Sequence, residues 1–157
     1  MTPVFLSPHF SLDELTASQS AARGGIDNTP PEDVIANLAR LAAVLEQVRG
    51  LLGVPVLVSS GYRCPALNAL IGGSTTSAHL SGLACDFTAP KFGTPFEVAA
   101  KIADSNLPFD QVIHEYGRWV HLGLSAGVTP RRQCLSIFSG TGYLSGLRSS
   151  SAGETRS

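Results

Sequence analysis

The stretch Ser77-Ala78-His79-Leu80-Ser81-Gly82-Leu83-Ala84-Cys85-Asp86 decides how the chain is read. Its first half is polar and bounded by Gly82, which marks a loop. Its second half, continued through Phe87 and Thr88, is short and apolar and predicts a strand over 83–88. Alternation puts Ala84 and Asp86 on one face and Leu83, Cys85 and Phe87 on the other. A carboxylate in the middle of an apolar strand is costly unless it is paired or metal-bound. A turn at Gly82 can return Asp86 toward His79.

A second segment offers the missing partner. In Trp119-Val120-His121-Leu122-Gly123-Leu124, the residues Val120, Leu122 and Leu124 form an apolar face, so Trp119 and His121 project from the opposite one. His121 can then meet His79 and Asp86 across neighbouring strands. Two histidines and one aspartate give zinc three protein ligands and leave a fourth position open, as catalytic sites do. Spacing alone is a weak signal for this triad. His79 also reads as an ordinary loop histidine, Asp86 as a salt-bridge carboxylate and His121 as a satisfied strand histidine.

Outward from these segments, the helices declare themselves by their ends. Ser11-Leu12-Asp13-Glu14 is a capping-box pattern opening a short helix, and Gly24-Gly25 closes that region. Val34, Ile35, Leu38, Leu41, Ala42, Leu45 and Val48 recur at helical steps and predict a helix over about 31–52, stopped by Gly53. Residues 54–60 read as a buried strand, and 65–71 as a short helix after a Gly61-Tyr62-Arg63 corner. Thr94-Pro95-Phe96-Glu97 is a second capping box, opening a helix to about 105. Strands are expected at 111–115 and 118–124, joined as a hairpin through Tyr116-Gly117, with a last strand at 133–138. The Gly/Ser-rich remainder, 139–157, reads as a flexible tail behind a single domain of residues 1–138. The fold class expected is α+β, a small antiparallel sheet with flanking helices.

Composition narrows the partners. The chain has 157 residues, 43% hydrophobic and 15% charged, a globular balance on the scale of one domain. Lys and Arg number 11 against 12 Asp and Glu, without a basic stripe, so no nucleic-acid partner is expected. No apolar run approaches the roughly 18 residues of a membrane span, and a monomer is expected. Cys64, Cys85 and Cys134, odd in number and outside any CxxC pair, read as buried free thiols. Met1 to Phe10 shows no cationic segment followed by an apolar core, so no signal peptide is expected and synthesis is placed in the cytoplasm.

Ser59-Ser60-Gly61-Tyr62-Arg63, Leu67-Asn68, Gly72-Gly73, Ser77-x-His79-x-x-Gly82-x-Ala84-x-Asp86 and Trp119-Val120-His121 occur in that order. This set resembles the zinc D-alanyl-D-alanine carboxypeptidase family, which includes phage L-alanyl-D-glutamate endolysins and shares its fold with the hedgehog signalling domain. The resemblance covers roughly residues 10–138. It implies a hedgehog/DD-peptidase fold, Zn2+ held by His79, Asp86 and His121, and Arg63 stabilising a substrate oxygen. The implied activity is hydrolysis of peptide bonds in peptidoglycan stem peptides. D-Ala-D-Ala carboxypeptidase, cross-link endopeptidase and L-Ala-D-Glu endopeptidase all fit it.

One departure concerns the general base. Some members of the family carry Glu three residues before the last zinc histidine, where this chain has Arg118. Glu115 is the favoured base and His114 the alternative; neighbours on a strand cannot both face the metal. Ser77 is a candidate to orient a ligand, Trp119 to form a pocket wall, and Tyr62 to pack in the core. A non-catalytic peptidoglycan-binding module on the same fold is the rival reading. A cysteine hydrolase is disfavoured, because Cys85 faces away from Asp86. Length and the absence of a signal resemble phage or prophage lysis proteins, which reach the wall after release; a phage tail component or a bacterial enzyme would look similar.

Overall fold

In the computed structural model, which describes residues 4–127, 129–151 and the backbone of 155–156, capped helices organise the first half of the chain. Strands β1 (Phe5–Ser7) and β2 (Phe10–Ser11) pair antiparallel. The Ser11 hydroxyl then accepts the Glu14 N–H at 3.1 Å and starts α1 (Leu12–Thr16). Ser18 starts α2 (Gln19–Gly24) in the same way, and Gly25 ends it in the left-handed conformation. Helix α3 (Glu32–Leu52) buries Val34, Leu38, Leu41, Leu45 and Val48 along one stripe and stops at Gly53, φ 71°.

The second half builds the sheet. In chain order come β3 (Leu57–Ser60), α4 (Pro65–Leu70), a 3-10 turn (Ala78–Ser81), β4 (Ala84–Thr88) and α5 (Pro95–Ala103). Then follow β5 (Gln111–Glu115), β6 (Trp119–Gly123), β7 (Gln133–Ile137), β8 (Leu144–Ser145), β9 (Leu147–Arg148) and β10 (Thr155–Arg156). The main sheet runs β3-β4-β6-β5-β7-β8, and β9 pairs with β10. Every pairing in the main sheet is antiparallel except β5 with β7, which is parallel. The fold is α+β, as the sequence pattern predicts.

One face of the sheet, with Phe87, Val112, Val120 and Leu122, belongs to a core shared with Leu38, Leu41 and Leu45 of α3 and Val98 and Ile102 of α5. Each such side chain contributes about 1.5–3 kcal/mol on burial. Cys64 and Cys85 are buried and Cys134 is half-buried, all as free thiols. Among the described residues no helix is long and apolar enough to cross a membrane.

Two expectations are corrected. The strand over 54–60 is shorter and is not buried: β3 begins at Leu57 and forms the edge of the sheet, with Leu57 51% exposed. Pro55 has no N–H to give to a ladder, so regular pairing cannot begin before it. The Gly/Ser-rich segment does not leave the body at 139 either. Gly140 and Gly146, at φ 81° and 77°, let the chain double back. Strand β8 joins β7, and Leu147 is completely buried. The Ser136 hydroxyl accepts the Arg148 N–H at 2.8 Å and donates to the Gly146 carbonyl at 3.0 Å. Of the remaining expected tail, 152–154 and 157 lie outside the described residues.

Candidate metal centre

Register brings the two strand residues together. Asp86 on β4 is opposite His121 on β6, and His121 is opposite Ile113 on β5, so their side chains share the face away from the core. His79 reaches them from the 3-10 turn. The Ser77 hydroxyl accepts the His79 N–H at 3.2 Å, and the turn ends at Gly82, φ 73°. A Cβ at Gly82 would stand 2.9 Å from Val34 Cγ1 and 3.0 Å from the Val34 carbonyl. Glycine is therefore required there twice over, by the backbone angle and by the closeness of α3.

The donor atoms converge. Asp86 Oδ1 lies 3.1 Å from His121 Nδ1 and 3.4 Å from His79 Nε2, and one donor atom from each residue falls within 4.8 Å of the others. The other nitrogen of His79 is already committed. Nδ1 lies 2.7 Å from the Gly61 carbonyl oxygen, which a ring nitrogen can bond only by donating its proton. In the neutral ring Nε2 then carries a bare lone pair facing a carboxylate oxygen. That juxtaposition is repulsive unless a cation or an extra proton stands between them. Burial on its own would raise the pKa of Asp86, but hydrogen bonds and charge from His121 and His79 pull it well below the usual carboxylate range. An ionised carboxylate, an imidazole with its tautomer fixed by a carbonyl and a second imidazole form a donor set suited to zinc.

This centre sits in a cleft of ≈ 750 Å³ that also takes in Arg63, Glu115, Trp119 and Tyr143. Glu115 is opposite Trp119 in the β5–β6 ladder and shares the face of His121. Trp119 Nε1 donates to Glu115 Oε1 at 2.7 Å. Burial pushes the Glu115 carboxyl up; the Asp86 charge adds to this, while His121, the Trp119 bond and His79 oppose it. Arg63 donates through Nη2 to the Ser77 hydroxyl at 3.3 Å, and its backbone N–H donates to the His79 carbonyl at 3.1 Å. Its buried Nε has no protein partner among the described residues. Burial lowers the Arg63 pKa, against the raising influence of Asp86 and Glu115, and an arginine so placed remains a cation.

His114 is not part of this site, and its candidacy as a base is corrected. It is opposite Val120, on the core face of the sheet. Its ring lies between Phe96 and Phe138, with centroids 5.7 and 5.6 Å away, and Nδ1 is 2.8 Å from the Arg148 carbonyl. Burial lowers its pKa, against the raising influence of the bond to the Arg148 carbonyl. Ser77 orients the backbone of the turn and the Arg63 head, not a ligand ring; the Gly61 carbonyl holds the His79 ring. A backbone oxygen leaves no side-chain signature in the sequence. Tyr62 is buried in the core, as its packing role requires. Tyr143 carried no signal, because its segment read as tail.

Compared with models of known protein families, the chain matches the one described as peptidase M15 over residues 8–123. No curated protein matches the chain. The matched span contains all three converging donors with Arg63 and Glu115, and it ends on the last residue of β6.

Proposed function

The chain belongs to the peptidase M15 family, and from that premise we propose that it is a zinc metallopeptidase that hydrolyses peptide bonds in the stem peptides of bacterial peptidoglycan. The observation that carries this reading is the meeting of His79 Nε2, Asp86 Oδ1 and His121 Nδ1 in an open cleft beside a carboxylate of raised pKa. Bound zinc supplies Lewis acidity, polarising a carbonyl and lowering the pKa of water to about 7.

The chain's own groups do the rest. Asp86 and the two imidazoles would hold the cation, with the Gly61 carbonyl fixing which His79 nitrogen faces its position. Glu115 accepts the proton of the attacking water and returns it to the leaving amine. Its raised pKa suits both duties, since an ordinary carboxylate is too weak a base near neutrality. The Trp119 N–H restrains one carboxylate oxygen and leaves the other for the proton. Arg63, a cation lining the cleft, meets the negative charge that grows on the carbonyl oxygen.

Release of new amino groups from purified peptidoglycan, with and without a chelator, tests the proposal. Chelator-sensitive release supports it, and the fragment masses separate a D-Ala-D-Ala carboxypeptidase from an endopeptidase. Zinc-loaded protein that binds the wall and frees no amine from several wall types would replace it with the binding module, the reading favoured by Arg118 at a position where some family members carry glutamate.

A further inference from the structure

We propose that Tyr143 is a substrate-positioning residue of this cleft, its phenol donating a hydrogen bond to the backbone of a bound stem peptide; the peptide as ligand rests on the function proposed above. Tyr143 lies well past residue 123, outside the family match. Nevertheless it lines the same cleft as His79, Asp86 and His121.

Its segment is built to hold it there. Leu144 pairs with Ser136 across β8 and β7, and the Gly146 N–H donates to the Cys134 carbonyl at 2.8 Å. Leu147 is completely buried behind it, and both His114 Nδ1 and the Ser136 hydroxyl grip Arg148. Tyr143 itself is 62% exposed, so the core does not need its ring. A rigid backbone presenting an exposed tyrosine into a cleft is a means of contacting ligand at low entropic cost.

The surroundings give the contact a direction. The cleft that Tyr143 lines is the one shared by Glu115, Asp86 and Arg63, so its side chain borders the same space as the reactive centre. Tyr116 and Trp119, with ring centroids 5.6 Å apart, line the same cleft. Together the three aromatics edge the cleft beside Glu115, where one side of a peptide flanking the scissile bond would lie. Burial and the nearby Glu115 charge raise the pKa of the phenol, so it stays protonated and can donate.

The test uses the zinc-loaded full chain and soluble peptidoglycan fragments with intact stem peptides. Tyr143→Phe should raise KM about fivefold, the scale of one neutral hydrogen bond, with kcat nearly unchanged. Tyr143→Ala should raise KM further, to about tenfold or more, because the ring contact goes as well. Zinc content and Tm should match wild type, since the side chain is mostly exposed. Wild-type KM in both variants would overturn the proposal, as would a fall in kcat that tracks a fall in Tm. If the wild type cuts no peptidoglycan, the hydrolytic reading fails separately, and calorimetric binding of the same fragments judges Tyr143. Affinity about fivefold weaker in Tyr143→Phe upholds it; equal affinity, or no binding by the wild type, overturns it.

Discussion

Replacing Gly61 by Ala should weaken zinc binding from a position that touches no metal. A Cβ at Gly61 would stand 2.1 Å from the Leu15 carbonyl oxygen and 2.8 Å from the Leu15 carbonyl carbon. Both are backbone atoms, so no rotamer relieves the clash. Gly61 must retreat from α1 by about 1.3 Å or more to reach ordinary contact. That movement pulls Tyr62 N off the Leu15 carbonyl, a bond of 2.8 Å, and displaces the Gly61 oxygen from His79 Nδ1, now at 2.7 Å. The first loss costs about 1–3 kcal/mol of stability. The second loosens the group that orients a ligand, an effect of about 10–100-fold in metal affinity, or roughly 1.4–2.8 kcal/mol. Zinc competition against a chromogenic chelator reads the affinity, and thermal unfolding of the metal-free protein reads the stability. Gly72→Ala is the control, because Gly72 has φ 74° with open space around it. It should cost about 1 kcal/mol of stability from backbone strain and leave zinc affinity alone. If Gly61→Ala folds and binds zinc as wild type does, the Gly61 carbonyl does not position His79.

Three further outcomes follow from the cleft and its surroundings. Glu115→Gln should retain zinc and lose about 10²–10⁴-fold in kcat; wild-type turnover would remove Glu115 as the base. Trp119→Phe deletes the N–H that holds Glu115 and lowers its pKa, so the carboxyl should titrate higher. Because the base acts deprotonated, the acid limb of the kcat/KM profile should move to higher pH, and a limb that stays or moves down would contradict this. Leu147→Ala should destabilise by about 2–5 kcal/mol, read as a lower Tm, because the side chain is fully buried. An unchanged Tm would mean that residues 144–148 are not part of the folded unit.

What could be read from sequence was what local chemistry decides. The Ser11 and Thr94 caps and the Gly53 stop depend on residues within one turn, and all three stand where their patterns put them. The choice between Glu115 and His114 was different. Alternation said that only one faces the metal, but which one depends on how many residues the hairpin leaves unpaired. A two-residue connection would have set Glu115 against Arg118 and put His114 on the face of His121. In the structure Glu115 is opposite Trp119, so Tyr116, Gly117 and Arg118 stand outside the ladder and the parity is reversed. Tyr116 at φ 59° and Gly117 at φ 67° make that turn, and no tyrosine advertises a left-handed backbone. The parallel β5–β7 pair and the edge position of β3 were equally hidden, since both are set by distant segments. The donor set was only weakly legible from spacing, because each of the three residues also has an ordinary reading; the ordered motifs from Ser59 to His121 are what singled it out.

The strand order has a bearing on how the chain acquires its site in time. Among the described residues the β5–β6 hairpin is the only neighbouring pair at the centre of the sheet that is close in sequence, and hairpins of this kind form in about 1–10 μs. Strand β4 must then arrive on one side from upstream and β7 on the other from downstream, the latter in parallel, and such non-local pairings are slow. Asp86 meets His121 only when β4 docks, and His79 takes its orientation only when its turn seats against Gly61. A complete donor set therefore exists only once β4 has paired with β6 and the turn has seated against Gly61. Until β4 docks, the early hairpin carries an open edge along β6, where another copy of the chain could add on during synthesis at high concentration.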